Sequence, residues 1–267
     1  MRDDTIGDDV YKVDSHVHLH PRFDLETVLS SAARRMTLSA DACCEGMLML
    51  TEMAGVDAFA DLPERCGKWV ISDTKEPVSR MARRASDGAL LCIVSGRQIV
   101  TEEGLEVLAL GTREVFPDGQ PVAQVIDAVS AAGALSVLPW GFGKWSGARG
   151  SEVDRIIEVC KGDTNVFLAD SGVRASAMPR PDHLAKAEAA GWRVLAGTDP
   201  LPVLGGAKQV GRYGFEATGA LDRDTPFVSL ATWLRWLDHS PPVYGALTNP
   251  ITFAAQQVAM QVRKRIA

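Results

Sequence analysis

Val10-Tyr11-Lys12-Val13-Asp14-Ser15-His16-Val17-His18, running on into Leu19-His20, reads as a short strand that ends in alternating imidazoles. The chain has five histidines, and three of them stand here at i, i+2 and i+4. Side chains so spaced on a strand share one face, so all three rings can point at one spot. Imidazole is the commonest ligand for zinc, iron, nickel or copper, and two on one strand end hold a fixed angle at little entropic cost. The alternative is a histidine pair satisfied by backbone hydrogen bonds.

Outward from this strand, short apolar runs alternate with amphipathic or Ala-rich stretches to the end of the chain. Strands are expected at Val10 to His18, Gly46 to Thr51, Trp69 to Ser72, Leu90 to Ser95, Leu105 to Leu110, Leu135 to Pro139, Val166 to Asp170 and Arg193 to Gly197. Helices are expected at Leu25 to Arg35, Val78 to Ala85, Pro121 to Ala132, Glu152 to Lys161 and Pro181 to Ala190, several ending in Gly as a helix C-terminus should. Repeated strand-then-helix units predict an α/β fold, here a distorted TIM-like (β/α)7-8 barrel. Glu102-Glu103-Gly104 marks a hairpin inside Gly96 to Gly111, an antiparallel insertion. Phe227 to His239 and Pro250 to Arg265 are helical by apolar spacing, with no strand expected after them, and close one end. No repeat, low-complexity tract or long linker divides the chain, so residues 1–267 are expected to form one domain.

The second chemical signal is Arg193-Val194-Leu195-Ala196-Gly197-Thr198-Asp199-Pro200, an apolar strand that ends in a carboxylate. On a late barrel strand Asp199 would share the C-terminal rim with the histidines. As an Asp before Pro it is also a good turn starter. His20, Glu52 and Asp170 are further ligand candidates at strand ends, each with a reading as a rim or turn residue. His183 and His239, at helix termini, read as surface residues.

Asp14-Ser15-His16-Val17-His18 on a first strand, with Gly197-Thr198-Asp199 on a late one, resembles the polymerase-and-histidinol-phosphatase (PHP) family, and the wider amidohydrolase superfamily is similar. Ser95-Gly96-Arg97-Gln98, the Leu105 to Gly111 strand, and Leu138-Pro139 after Ala132-Gly133 extend the resemblance over most of residues 10 to 203. It implies a distorted barrel that hydrolyses phosphoesters with clustered metal ions. Three of the family's ligands are replaced: Gln98 stands for the acid after the glycine, Leu138 for the His before Pro, and Leu201 for the His of Asp-x-His. His16, His18 and Asp199 match. The resemblance therefore implies a mononuclear site with one divalent ion, Zn, Mn or Fe, rather than a trinuclear cluster.

Two loops offer a way to hold an anion. Pro139-Trp140-Gly141-Phe142-Gly143-Lys144-Trp145 places indoles and a cation directly after a strand. Trp140 and Lys144 either bind an anionic or sugar-like ligand, or pack the barrel mouth and stay solvated. Gly205-Gly206-Ala207-Lys208-Gln209-Val210-Gly211-Arg212-Tyr213-Gly214 is glycine-rich with the cations Lys208 and Arg212, and its exposed N–H groups could cradle an anion, although it is not a Walker motif. Arg97, next to Gln98, and Arg174 would add positive charge at the same mouth. The leading expectation is a metal-dependent phosphoesterase in which Asp170 or Asp199 accepts a proton and Lys144, Arg97 or Arg212 stabilises phosphate charge. The rivals are an amidohydrolase acting on C–N or C–O bonds, and a non-catalytic barrel that binds a small anion or sugar after losing the metal cluster.

Composition sets the outer bounds. The 267 residues are 46% hydrophobic and 23% charged, an ordinary globular balance. Lys and Arg number 28 against 34 Asp and Glu, a net charge of −6 without the basic stripe of a nucleic-acid binder, so a small-molecule substrate is expected and nucleic acid is not. The longest apolar run, Ala89 to Val94, is far below the roughly 18 residues of a membrane span, and no membrane partner is expected. The acidic N-terminus without an apolar segment points to the cytoplasm. Five cysteines without C-x-x-C spacing, with Cys43 beside Cys44, predict reduced thiols. Trp233, Trp236 and Phe253 offer a homo-oligomer contact, although the i, i+3 spacing of the tryptophans favours core packing.

Overall fold

The computed structural model describes residues 10–36, 46–219 and 221–266. In chain order these form β1 (Val10–Val17), α1 (Leu25–Met36), β2 (Gly46–Leu50), β3 (Arg65–Cys66), β4 (Trp69–Asp73), β5 (Ser79–Arg84), β6 (Leu90–Val94), β7 (Gly96–Val100), β8 (Glu106–Leu110), α2 (Val122–Ala131), β9 (Leu135–Pro139), α3 (Ala148–Val159), β10 (Val166–Ser171), α4 (Asp182–Ala189), β11 (Val194–Gly197), β12 (Tyr213–Thr218), α5 (Pro226–Trp236), β13 (Val243–Gly245) and α6 (Pro250–Ile266). The strands make two sheets, ordered β13-β12-β1-β2-β6-β5-β4-β3 and β11-β10-β9-β8-β7.

The expected TIM-like barrel is not what forms. A (β/α)8 barrel needs parallel strands joined by crossover helices and closed into one ladder. Here β3 to β6 run as an antiparallel meander, β7 to β9 are also antiparallel, and β12 pairs antiparallel with both β1 and β13. Among the described residues six α-helices accompany these strands, too few for one per strand. The sheets meet at two seams without a closed ladder. One is an isolated parallel bridge between Glu52 and Arg97, and the other is a set of side-chain and strand-end hydrogen bonds between β1 and β11.

Two elements account for most of the difference. Val78 to Ala85 carries apolar residues at helical spacing, yet Ser79–Arg84 is β5, between Pro77 and the Asp87-Gly88 turn. Its pairing with β4 and β6 on both edges wins over local pattern, as tertiary context often does for short segments. Tyr213–Thr218, whose first two residues were expected to end the glycine-rich loop, is β12, with Tyr213, Phe215 and Ala217 buried on one face. A further strand, β13, does follow α5, contrary to expectation.

The apolar residues fall into three layers. Tyr11, Val13, Met47, Met49, Cys92 and Val94 of the first sheet face Leu108, Leu110, Val137, Phe167 and Leu195 of the second, and Phe227, Leu230 and Leu234 of α5 join this core. The outer face of the five-stranded sheet packs on α2, α3 and α4, and that of the larger sheet on α1. Leu138 belongs to the outer layer. Trp233 packs on the central core, while Trp236 is 85% exposed. Cys66 and Cys160 are free thiols, Cys92 is buried in the central core, and the Cys43-Cys44 pair lies outside the described residues. No helix among the described residues is long and apolar enough to cross a membrane.

Candidate metal centre

The C-terminal ends of β1 and β11 lie side by side. The Asp199 N–H donates to the His16 carbonyl at 2.8 Å, and the Ser15 hydroxyl donates to the Ala196 carbonyl at 2.9 Å. The approach is close enough that a Cβ at Gly197 would stand 2.5 Å from the His16 nitrogen, so only glycine fits.

Asp14 fastens the seam from within. Its fully buried carboxylate accepts the Thr198 N–H at 2.7 Å and the Gly211 N–H at 2.9 Å, and at longer range the His16 N–H at 3.3 Å. One side chain thus ties together β1, the turn after β11 and the lead into β12. Asp14→Ala is expected to destabilise the protein by about 3 kcal/mol, because the buried N–H groups of Thr198 and Gly211 lose their acceptor. Urea titration reads this directly, and a loss below 1 kcal/mol would contradict the anchoring role.

Asp199 is the one non-glycine residue with positive φ among those described, at 52°. Aspartate tolerates this left-handed region better than most residues, and a strained backbone held by its surroundings is a mark of functional positions. The turn swings the carboxylate back toward β1. Asp199 Oδ1 lies 3.7 Å from Nε2 of both His16 and His18, and these two nitrogens stand 3.1 Å apart. The three donor atoms all fall within 4.8 Å of one another. Ligand atoms about 2.0–2.2 Å from one ion stand roughly 3.0–3.5 Å apart at tetrahedral or cis-octahedral angles. The set therefore fits a single divalent ion after closing by a few tenths of an ångström. Ser171 at the end of β10 donates to Asp199 Oδ2 at 3.2 Å, which leaves Oδ1 toward the imidazoles.

The shifts of His18 and Asp199 suit ligation, which needs neutral imidazole and ionised carboxylate. Burial, reinforced by neighbouring His16, pushes the His18 imidazole down to about 3. Burial pushes the Asp199 carboxyl up, but His16, His18, the Lys144 ammonium and the Ser171 hydroxyl together hold it below the usual carboxylate range. Two imidazoles with one carboxylate are the donor set of catalytic zinc and of non-haem iron centres with open positions.

With the geometry in place, comparison with known proteins gives one informative result. No protein-family model matches the sequence, and no functionally curated protein matches it. The fold is similar to that of PsfC. The PsfC structure, from Pseudomonas syringae PB-5123, superposes with a TM-score of 0.60 over 95% of this chain and 99% of PsfC, at 14% sequence identity. A lesion-specific endonuclease, endonuclease Q from Pyrococcus furiosus, matches at TM-score 0.49 and 11% identity over 85% of this chain and 56% of the endonuclease. An endonuclease Q complex with a 27-mer duplex bearing an abasic lesion matches at TM-score 0.46. The likeness to PsfC is one of fold, and the chemistry must be read from the side chains.

Several residues singled out from the sequence have other engagements. Asp170 is buried in a two-pronged ion pair with Arg174, at 2.9 and 2.6 Å, and also accepts the Tyr213 hydroxyl at 3.1 Å. Arg97 is buried against Glu52 at 2.7 Å and Asp57 at 3.2 Å, and donates to the Val56 carbonyl. Arg212 donates to the Gly172 carbonyl and the Thr248 hydroxyl, both at 2.7 Å. Lys208 is exposed on a 3-10 turn, Gly206–Gln209. Trp140 packs on the outer core. His20 holds the Pro200 carbonyl at 3.0 Å with its ring 5.3 Å from that of His18, so it lines the centre without joining the donor set. His183, half-buried, contacts the Gly150 carbonyl, and His239 is exposed.

Gln98 and Lys144 both meet Glu106, a hairpin-strand residue that no motif in the sequence marks. Lys144 forms an ion pair with Glu106, and Gln98 Nε2 reaches Glu106 Oε1 at 3.3 Å. Ser171 is likewise unmarked, unlike its neighbour Asp170. Successive strand residues face opposite sides, so one of the two at most could meet Asp199.

Proposed function

We propose that the protein is a metal-dependent phosphoesterase of the PHP type, acting on a small anionic substrate with one divalent ion, Zn, Mn or Fe, held by His16, His18 and Asp199. The observation that carries this reading is the convergence of two imidazoles and one ionised carboxylate on a common point at the strand ends. When bound, a divalent ion supplies Lewis acidity that polarises a phosphoryl oxygen and acidifies water. The chain's own residues do the rest. Ser171 fixes the rotamer of Asp199, and Lys144 contributes a positive charge felt at the Asp199 carboxylate, where it can neutralise a phosphate oxygen. Asp170 and Arg97, both in buried ion pairs, hold the architecture of the mouth rather than the substrate. The net charge of −6 favours a small substrate over a polyanion such as DNA.

A binding protein that kept the pocket without catalysis is the second reading. It draws support from Gln98 and Leu138, which stand where PHP enzymes carry ligands: Leu138 is buried in the outer core and Gln98 is turned to Glu106. The metal-loaded protein should hydrolyse 4-nitrophenyl phosphate or bis(4-nitrophenyl) phosphate, and Asp199→Asn should lose that activity by at least about 100-fold. Bound metal with no turnover of either ester would favour the binding reading. Cleavage confined to duplex DNA with an abasic site would replace the small-substrate reading with a nuclease.

A further inference from the structure

The ion pair between Lys144 and Glu106 lies near enough to the His16, His18 and Asp199 cluster for the ammonium to act on the Asp199 carboxyl, and its supports come from three separate elements. β9, β10 and β11 run parallel, so their C-terminal ends share one edge. From that edge β9 leads into the Lys144 loop, β10 presents Ser171, and β11 leads to Asp199. β8 runs antiparallel to β9, with Leu108 opposite Val137, so Glu106 at the start of β8 stands level with the end of β9.

The course of the lysine stem is built into the backbone. Lys144 N–H closes a turn on the Gly141 carbonyl at 2.9 Å, and the stem then folds back over Gly141. A Cβ at position 141 would stand 2.6 Å from Lys144 Cδ and 3.1 Å from Cγ, so the track is open only above a glycine. At the end of the track is Glu106, whose side chain is 16% exposed against 42% for Lys144. The oxygen that receives the ammonium, Oε1, also accepts from Gln98 on β7, so Glu106 is itself fixed from the far side. An ammonium carries three donors, and Glu106 takes one, leaving two for an incoming oxyanion.

We propose that Glu106 is a positioning residue that, together with Gly141, aims Lys144 at the substrate anion beside Asp199. The inference rests on the phosphoesterase reading only for turnover, because anion binding tests it separately. Simple charge counting predicts the opposite result, which makes the test sharp. Removing a carboxylate next to an anion site should tighten anion binding if Glu106 acts only through its own charge, and should weaken binding if Glu106 holds the lysine in place.

The experiment is calorimetric titration of the Zn-loaded full-length protein and its variants with inorganic phosphate. Glu106→Gln keeps an oxygen for Gln98 but removes the negative charge that holds the ammonium, while Gly141→Ala displaces the stem with Glu106 intact. Both are expected to bind phosphate roughly tenfold more weakly, like Lys144→Met, with unchanged metal content and urea midpoint. Phosphate affinity that rises or stays constant in Glu106→Gln would overturn the proposal, as would a wild type that binds no phosphate. Phosphate binding with the expected losses, but no ester hydrolysis by the wild type, would retain the positioning role and reject the enzymatic reading.

Discussion

Asp199→Gly is expected to bind divalent metal at least about 100-fold more weakly than the wild type and, in the metal-free state, to be about 1 kcal/mol more stable than Asp199→Asn. The two effects have one origin. Asp199 is held at φ 52°, a conformation that costs a residue with a Cβ on the order of 1 kcal/mol and glycine almost nothing. Glycine relieves this strain and removes the anionic donor of the cluster. Asp199→Asn separates the terms, since it keeps the side-chain shape and the backbone strain but loses the charge. It should lose metal equally and be less stable than Asp199→Gly by the strain alone. Metal titration with urea unfolding of the same samples reads both quantities, and wild-type metal affinity in Asp199→Gly would remove Asp199 from the ligand set.

Acid should destabilise the metal-free protein through His18. The imidazole stays neutral in the fold down to about pH 3, whereas in the unfolded chain it takes up a proton near 6.5. Below 6.5 the unfolded state therefore binds more protons, and stability falls as pH drops through that window, by up to roughly 5 kcal/mol. Asp14 acts in the opposite direction. Burial pushes its carboxyl up from 3.8 to about 6, against the Thr198, Gly211 and His16 donors, so the folded state takes up this proton first. That returns up to roughly 3 kcal/mol as pH falls from 6 to 3.8. The His18 share is isolated by comparing wild type with His18→Gln. Between pH 7 and 4.5 the stability difference should move toward the variant by roughly 3 kcal/mol in urea titrations followed by tryptophan fluorescence. A difference that stays constant with pH would mean that His18 titrates normally in the fold.

The juxtaposition of His16, His18 and Asp199 was legible in the sequence because all three sit where local rules apply. His16 and His18 share a strand face by spacing alone, and Asp199 follows an apolar run that reads plainly as a strand. The hairpin around Glu102-Glu103-Gly104 was legible for the same reason, through its turn chemistry. What the sequence hid was set by distant partners. Ser79–Arg84 has the spacing of a helix and becomes a strand because β4 and β6 flank it. Arg97 read as a cation for the substrate, but Glu52, 45 residues earlier, claims it inside the protein. Arg174 likewise neutralises Asp170, which removes a carboxylate that had looked available for proton transfer. Each ion pair joins residues whose types were visible and whose pairing was not.

The most direct test of the metal centre is the metal content of the purified protein beside a His16→Ala, His18→Ala double variant, after loading with Zn, Mn or Fe and removal of loose ions. The geometry predicts about one tightly held ion per wild-type chain and none in the variant, because three converging donors are reduced to one carboxylate. Equal metal in both proteins, or none in the wild type, would contradict it and leave His16 and His18 as a hydrogen-bonded pair inside a binding fold.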